Sequence, residues 1–498
     1  MESISSFADF KKNHDAGKTQ LVWTWVAADL ETPVSTYIKL TNDQKNSFLL
    51  ESVEGGANLG RYSAIGLEPD LVWEYKNASE KSPLETLRKH VRESRIDVVA
   101  SEIPPMGPSG LFGYMGYGMI KLVEKIPDAN PDEINIPDSI MIRPTVMVIF
   151  DNVQSRMCIC TPVRQSKKDS KDDAKKIYDD AVRKLEKTID ALLNPLATSS
   201  QSYNTALKAP LPVQSNTTKE KFFHMVGRAM EYIRAGDIFQ VVIGQSFSTP
   251  YDLSGFALYR SLRRLNPSPF LFYFNFGGFQ LVGSSPEILV RVRKRRVTIR
   301  PIAGTRKRGA TEQEDAALSA ELLADPKERA EHLMLLDLGR NDVGRVSKPG
   351  TVKVTESFVI EKYSHVQHIV SNVEGELRDD QDSFDALFAG FPAGTVSGAP
   401  KIRAMEIIDE LESSRRAYYG GCVGYLDGNG DLDTCIALRT ALVKDGKVHV
   451  RSGAGIVADS NPESEHNECI IKAKAIVQAA EDSVSQAQAL SQQRAVSH

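Results

Sequence analysis

Apolar and polar positions alternate over Met141 to Ile149. Comparable period-two stretches recur up to about Pro162, so this part of the chain reads as strand-rich. From about Ser170 to Leu193 the pattern becomes that of a charged helix. Asn194 to Asn216, rich in Ser, Asn, Pro and Ala and without apolar period, reads as a loose surface connection. Thr217-Thr218-Lys219-Glu220 predicts a capping box, with the Thr217 oxygen on the N3 amide and Glu220 reaching back. The helix it opens carries Phe222, Phe223, Val226, Met230 and Ile233 along one side. In Val290 to Ile302, Val290, Val292, Val297 and Ile299 alternate with Arg and Lys. That spacing predicts a hairpin turning near Lys294 to Arg296, with one buried and one solvated basic face, and not a nucleic-acid patch. The segments expected are 1–200 as an amino-terminal domain, 217–485 as one large mixed domain, and 486–498 as a flexible Gln/Ala/Ser-rich tail.

Composition narrows the function classes. A chain of 498 residues exceeds one compact core. A net charge of −4 argues against a dedicated nucleic-acid binder. No apolar run approaches the roughly 20 residues that cross a bilayer. Met1 to Gly17, with Phe7, Phe10, Lys11 and Lys12, lacks the unbroken apolar core of a secretory signal, so a cytoplasmic location is expected. Five cysteines make no disulfide framework. Cys158 and Cys160 alternate with Met157 and Ile159 and read as packed or surface thiols. Gly420-Gly421-Cys422-Val423-Gly424 suggests a glutaminase elbow, but it runs into Tyr425 to Gly430, a strand and then a turn. Cys422 is therefore not expected to act as a nucleophile.

Two Glu-x-x-Glu pairs carry more chemistry. Asp325-Pro326 is a helix start, which puts Glu328 and Glu331 on one face of the helix. Ser460-Asn461-Pro462 repeats the signal, and Glu465, Glu468 and Lys472 share one face of the second helix. Like charges three residues apart repel, and a hard cation such as Mg²⁺ removes that cost while bridging to an anionic substrate. Solvated helix faces and the attraction of acids to helix N-termini explain the same pattern without a metal. Gly390 to Lys401 offers glycines, the Thr395 and Ser397 hydroxyls, and a helix starting at Pro400 whose free amides suit an anion. Ser452-Gly453-Ala454-Gly455, after the alternating strand Lys447 to Arg451, offers further backbone donors. Neither stretch has phosphate-loop spacing.

Together these segments resemble the chorismate-utilising enzymes, most closely the large subunits of anthranilate synthase. The likeness rests on Pro301 to Arg306, Glu331-His332 through Asp337 to Asp342, Tyr363 to His368, Phe391 to Arg403, Tyr418 to Tyr425 and Glu465 to Lys474. It covers nearly all of Thr217 to Ala480 and reaches the amino-terminal part through Leu49-Leu50-Glu51-Ser52. The resemblance implies an α+β fold of large, mostly antiparallel sheets sandwiched together and flanked by helices. It implies Mg²⁺ on Glu331 and Glu468, with Glu328 and Glu465 in or near its water shell. Tyr419, Arg439, Gly455 and Lys472 are implied to hold the substrate carboxylates, with Gly453 and Gln240 also lining the site and Thr395 touching substrate. Glu287 is the matching acid for departure of the C4 hydroxyl. His368 matches the histidine tied to pyruvate elimination, with an imidazole titrating near neutrality, and His365 reads as structural.

Two positions separate the relatives. Those making aminodeoxychorismate commonly carry a nucleophilic lysine where this chain has Ala303, and those adding water place a lysine base at Gln240. Both favour anthranilate synthase, with ammonia delivered by a separate glutamine amidotransferase subunit in a hetero-oligomer. Glu51, Ser52 and Arg61, with Pro269, Phe270 and Leu271 as the other wall, resemble an L-tryptophan feedback site; relatives usually carry Tyr-Met where Phe270-Leu271 stands. Alternatives of other classes are an aminodeoxychorismate synthase, a catalytically silent tryptophan-sensing subunit and a nucleotide-binding protein.

Overall fold

Strands from both ends of the chain interleave in two large sheets. The structure, a computed structural model, describes all residues except 1–3, 43, 55–57, 77–80, 105, 107–108, 165–172, 197–204, 364–365 and 497–498. Among the described residues the larger sheet has twelve strands. Its order runs Gln20–Ala27, Arg156–Val163, Val146–Asp151, Tyr62–Leu67, Ser47–Glu51, Phe270–Asn275, Gln280–Ser285, Thr440–Lys444, Lys447–Ile456, Gln240–Pro250 and Gln214–Ser215, with Gly398–Ala399 also paired to the Gln240 strand. The smaller has ten strands: Ile302–Lys307, Val366–Glu376, Arg296–Ile299, Ile288–Arg293, Leu432–Ile436, Cys422–Asp427, Gly110–Met115, Ser139–Arg143 and Leu71–Tyr75, with Lys353–Lys362 beside Val366–Glu376. All named pairings are antiparallel, as the α+β expectation requires.

Period-two alternation sends neighbouring side chains to opposite faces, and each face has its own core. Phe48, Phe272, Phe274, Ile149 and Cys158 of the larger sheet meet Phe112, Tyr114, Ile142, Tyr425 and Cys435 of the smaller one between the sheets. The Phe48 and Phe112 rings stack at 4.7 Å across that gap. The alternate residues Leu49, Ile65, Val148, Ile159, Tyr273 and Val282 face outward under helices that include Lys219–Ala235, Gly255–Leu265 and Pro462–Val496. Helices Pro326–Val346 and Ser383–Gly390 cover the outer face of the smaller sheet through Leu336, Val343, Phe384 and Leu387.

Several sequence expectations shift by a residue or a strand. Met141 to Ile149 is two strands, Ser139–Arg143 in one sheet and Val146–Asp151 in the other, because Pro144 cannot continue a ladder and the chain crosses there. The helix expected after Thr217 starts one residue later. Thr218 accepts from Lys221 N–H at 3.2 Å, and N3 is a lysine that cannot reach back as a capping-box acid. The charged helix spans Ala174–Leu193. The basic hairpin forms with Val290, Val292 and Val297 buried, while Arg291, Arg293 and Arg296 pair with Asp433, Asp431 and Glu374. Helix Pro462–Val496 continues eleven residues into the segment expected to be a flexible tail, where Ala487 is buried and Gln488 Nε2 donates to Leu207 O at 2.5 Å. Among the described residues no helix is long and apolar enough to cross a membrane.

The Ser47–Glu51 and Phe270–Asn275 strands join the two sequence segments, with Phe48 directly opposite Phe274. Phe274→Ala empties a fully buried ring from that seam and should cost about 3–5 kcal/mol, measured as a fall in the urea midpoint. A loss under about 1 kcal/mol would show that the seam repacks.

Candidate active site

Two chain crossings between the sheets lie side by side and carry the central groups. The first leaves strand Gln280–Ser285 through Pro286 and Glu287 and enters Ile288–Arg293. The second leaves Leu432–Ile436 and reaches Thr440–Lys444 through Arg439, whose φ is +48°. Having no ladder partner, the crossings bond to each other. Ile436 N–H donates to Glu287 O at 3.0 Å and Ser284 N–H to Arg439 O at 3.2 Å, while the Ser285 hydroxyl donates to Ile436 O at 2.7 Å.

Glu287 is buried, and burial pushes its pKa up to about 8, with Thr395, Arg439 and Lys472 only partly opposing. It is therefore a neutral acid near pH 7, and the Thr395 hydroxyl donates to its Oε1 at 3.0 Å. Arg439 makes no side-chain hydrogen bond or ion pair among the described residues; burial draws its pKa down, and Glu287 and Tyr363 act on it only at a distance. A buried guanidinium without a carboxylate is a receptor for an anion.

His368 closes another side. Its Nδ1 lies 2.8 Å from Gly304 O and 3.1 Å from Thr305 Oγ1, so Nδ1–H donates to the carbonyl and Nε2 keeps its lone pair. Burial lowers its pKa to about 4, which corrects the expectation of titration near neutrality: the ring is a neutral base throughout the physiological range. Gly304 sits in the left-handed region at φ +66°, and a Cβ there would meet Glu328 Oε2 at 3.0 Å, so the histidine and the first carboxylate pair adjoin.

Both predicted helix starts form. Asp325 caps Pro326–Val346 through the Lys327 and Glu328 amides, and Asn461 Oδ1 accepts from Ser464 N–H at 3.1 Å. The two helices bring their acids toward one another: Glu331 has its pKa raised by burial, then by Glu328, then by Glu468. Glu328 is held by Arg306 at 3.1 Å and Glu468 by Lys472 at 2.6 Å, whereas Glu331 has no such partner among the described residues. Glu465 also has its pKa raised, chiefly by burial. Among the described residues no three His, Cys, Asp or Glu side chains are drawn together closely enough to grip a metal ion. The donor chemistry still fits a hard dication, because mutually repelling carboxylates around an uncompensated Glu331 are the field a cation relieves.

Lys472 ties the acids to the pocket, donating to Gly453 O at 3.0 Å. Ser452 to Gly455, expected after a strand, is part of strand Lys447–Ile456, with Gly453 opposite Gly244 and Gly455 opposite Val242. A Cβ on Gly455 would lie 2.5 Å from Gln240 Nε2, and a Cβ on Gly453 would lie 3.2 Å from the Tyr419 hydroxyl; glycine is what admits both side chains. Gln240 Oε1 is buried without a partner. Tyr363, to which the sequence reading gave no role, meets the His368 ring edge-on at 5.4 Å; its signal was membership of the same motif. His365 lies outside the described residues. Cys422 begins a strand and its thiol is pushed up to about 12 by burial, in keeping with an inert packing residue.

The amino-terminal group falls elsewhere. Glu51, Ser52, Pro269, Phe270 and Leu271 line a separate cavity of about 750 Å³, together with Ile360, Tyr363 and Cys435. The Glu51 carboxylate is occupied by Arg263, at 2.9 and 2.8 Å, and by the Tyr259 hydroxyl. Arg61 is not among the residues lining that cavity; it pairs with Asp151 at 3.0 Å and its side chain is half exposed.

The sequence pattern of the chorismate binding enzymes matches residues 45–478. Anthranilate synthase component 1 of Cereibacter sphaeroides is 51% identical, over 96% of this chain and 98% of that protein. The crystal structure of anthranilate synthase component I from Streptococcus pneumoniae superposes with a TM-score of 0.74 at 35% identity, covering 91% of this chain and 99% of that one. MenF, the menaquinone-specific isochorismate synthase of Escherichia coli, shares the fold at a TM-score of 0.68 and 18% identity, covering 96% and 100%.

Because the folded state raises the Glu287 pKa from 4.5 to about 8, this group costs stability as pH rises through that window. Glu287→Gln keeps the shape and removes the charge. Its unfolding free energy should gain on wild type by up to about 1.4 kcal/mol per pH unit between roughly pH 5 and 8. A difference that stays flat across those pH values would show that Glu287 is ionised in the fold.

Proposed function

The chain belongs to the chorismate-binding enzymes, in their anthranilate synthase branch, and from that premise we propose that it converts chorismate and ammonia to anthranilate and pyruvate, the first step of tryptophan biosynthesis. The observation that carries this is a buried acid held protonated near neutrality, near an arginine whose side chain has no hydrogen-bond or ion-pair partner among the described residues. Chorismate brings what those two groups lack, a carboxylate for Arg439 and a leaving hydroxyl for Glu287, with Lys472 proposed to share in holding the anion. Tyr419, Gly453, Gly455 and Gln240 line the rest of the substrate surface.

In the first step ammonia bonds to C2, the ring electrons shift, and the C4–O bond breaks while Glu287 gives its proton to the departing hydroxyl. Thr395 keeps the carboxyl aimed. In the second step the C2 proton goes to the free Nε2 of His368 as the C3–O bond breaks, the side chain leaves as the enolate of pyruvate and takes up a proton at its methylene carbon, and the ring becomes aromatic. A histidine that is neutral throughout the physiological range suits this role better than one half protonated at pH 7. Ala303 is buried beside Ile369 and carries no amine, so the nucleophile comes from outside the chain. Gln240 cannot deprotonate water. Both positions favour ammonia addition over the alternatives.

Glu331 and Glu468, with Glu328 and Glu465 behind them, are the residues that would hold Mg²⁺. When bound, the ion supplies positive charge for a substrate carboxylate and screens the glutamates from one another. Ammonia is proposed to come from glutamine through an amidotransferase subunit. The separate cavity at Ser52, Phe270 and Leu271 is proposed to take L-tryptophan as feedback inhibitor, with Glu51 anchoring its strand to Arg263 instead of meeting the ligand, and with Arg61 outside it.

Purified chain with chorismate, Mg²⁺ and ammonium should release fluorescent anthranilate. At constant free ammonia, kcat/KM for chorismate should fall as pH rises through about 8, where Glu287 loses its proton. Folded protein that produces no anthranilate refutes the reading. Glu468→Ala should remove at least about 99% of turnover, and so should chelation, reversed by added Mg²⁺; unchanged activity in either case rejects the metal site.

A further inference from the structure

Behind the pocket lies a buried charge cluster that this chemistry does not use. Glu412, just past helix Lys401–Leu411, sits with Arg416 and Arg451, and all three side chains are 1–4% exposed. Arg416 donates to Glu412 through Nε at 3.0 Å and Nη2 at 2.7 Å, and Arg451 Nη2 donates at 2.6 Å. Burial works against the Glu412 charge, but Arg416 and Arg451 together hold its pKa below the usual carboxylate range.

One arginine would satisfy the ion pair, and the two differ in where their remaining donors go. Arg416 Nη1 donates to Val396 O at 2.5 Å and Nη2 to Val242 O at 2.7 Å. Its guanidinium also lies over the rings of Tyr117 and Tyr419, at 4.9 and 5.5 Å. Val396 follows Thr395, Val242 lies two residues beyond Gln240, and Tyr419 faces the pocket itself. Arg451 instead spends its other donors on Arg415 O at 2.9 Å and Ser414 O at 3.2 Å, and meets the Gln240 strand only at Ser246 Oγ, at 3.4 Å and six residues beyond Gln240.

We propose that Arg416 is a positioning residue of the active site, whose planar fork fixes the Thr395 turn, the Gln240 strand and the Tyr419 ring in one frame. The inference rests on the reading of those three residues as substrate-facing. A lysine keeps the charge but has three donors on one nitrogen, and cannot reproduce the four bonds that Arg416 makes from three nitrogens. With the frame loosened, the Thr395 hydrogen bond that opposes the rise in the Glu287 pKa weakens. The damage should therefore reach both turnover and its pH dependence.

Arg416→Lys and Arg451→Lys remove donors from the same buried carboxylate, which makes each a control for the other. Both should lower the thermal midpoint to a similar extent. Arg416→Lys alone should lose turnover, on the order of 100-fold, and move the alkaline limb of kcat/KM to higher pH. Should Arg416→Lys not fold, Glu412→Gln, which slackens Arg416 while keeping the shape, decides the matter: a displaced limb is expected, and an unmoved one overturns the proposal. Equal turnover losses in the two lysine variants, or wild-type turnover in Arg416→Lys, also overturn it while leaving the function intact. Wild-type protein that turns over no chorismate removes the function and this inference together.

Discussion

The site depends on two strands changing sheets next to each other. At a crossing the chain gives up its ladder partners, so its amides and carbonyls need other bonds; here each crossing supplies the other's. The result fixes two side chains at the edge of the inter-sheet core, where water is scarce but no strand neighbour fills the space. Glu287 and Arg439 occupy those places. An ordinary loop would leave both solvated, and neither would carry the altered affinity for a proton or an anion on which the proposed chemistry relies.

Two buried carboxylates show how the balance is struck. Desolvation is the first cause acting on both Glu287 and Glu412, yet one ends neutral near pH 7 and the other ionised. Glu412 has two arginines in hydrogen-bonding contact and the Gly244 amide at 2.8 Å. Glu287 has one hydroxyl, with its cations farther off. That gap in partners decides whether a carboxyl serves as scaffold or as acid. Arg439 is the complementary case: unlike Arg416, it has no carboxylate in contact among the described residues, which leaves its donors to a ligand.

Local signals were legible in the sequence wherever local physics decides. Asp325-Pro326 and Asn461-Pro462 name their helices because a side-chain cap and a fixed proline φ act within three residues. The Val290 hairpin is legible because one buried face enforces period two. Errors arose where distant contacts decide. Pro144 marks a change of sheet, which only the other strands reveal. The segment after Gln486 is helical because Ala487 and Gln488 find a surface to pack on. Site residues were legible as types through family likeness, but their protonation was not. The Glu287 and His368 shifts come from burial among segments far apart in the chain, and no spacing encodes that. Arg416 was missed for the same reason: its meaning lies in the carbonyls of Val242 and Val396, residues 174 and 20 positions away.

The same crossing that carries the acid also walls the second cavity. Pro286 and Ile288 line that cavity on either side of Glu287, and Tyr363 lines it while its ring meets His368. A molecule filling the cavity therefore touches the backbone that aims the acid and the ring that backs the base, without touching either. Close-packed interiors transmit displacement because they have little free volume to absorb it. Proton transfer, in turn, is sensitive to misplacement on the scale of 1 Å, at about 100-fold in rate. Separation of the two sites by a single chain thickness makes such coupling a matter of geometry and asks for no long pathway through the fold.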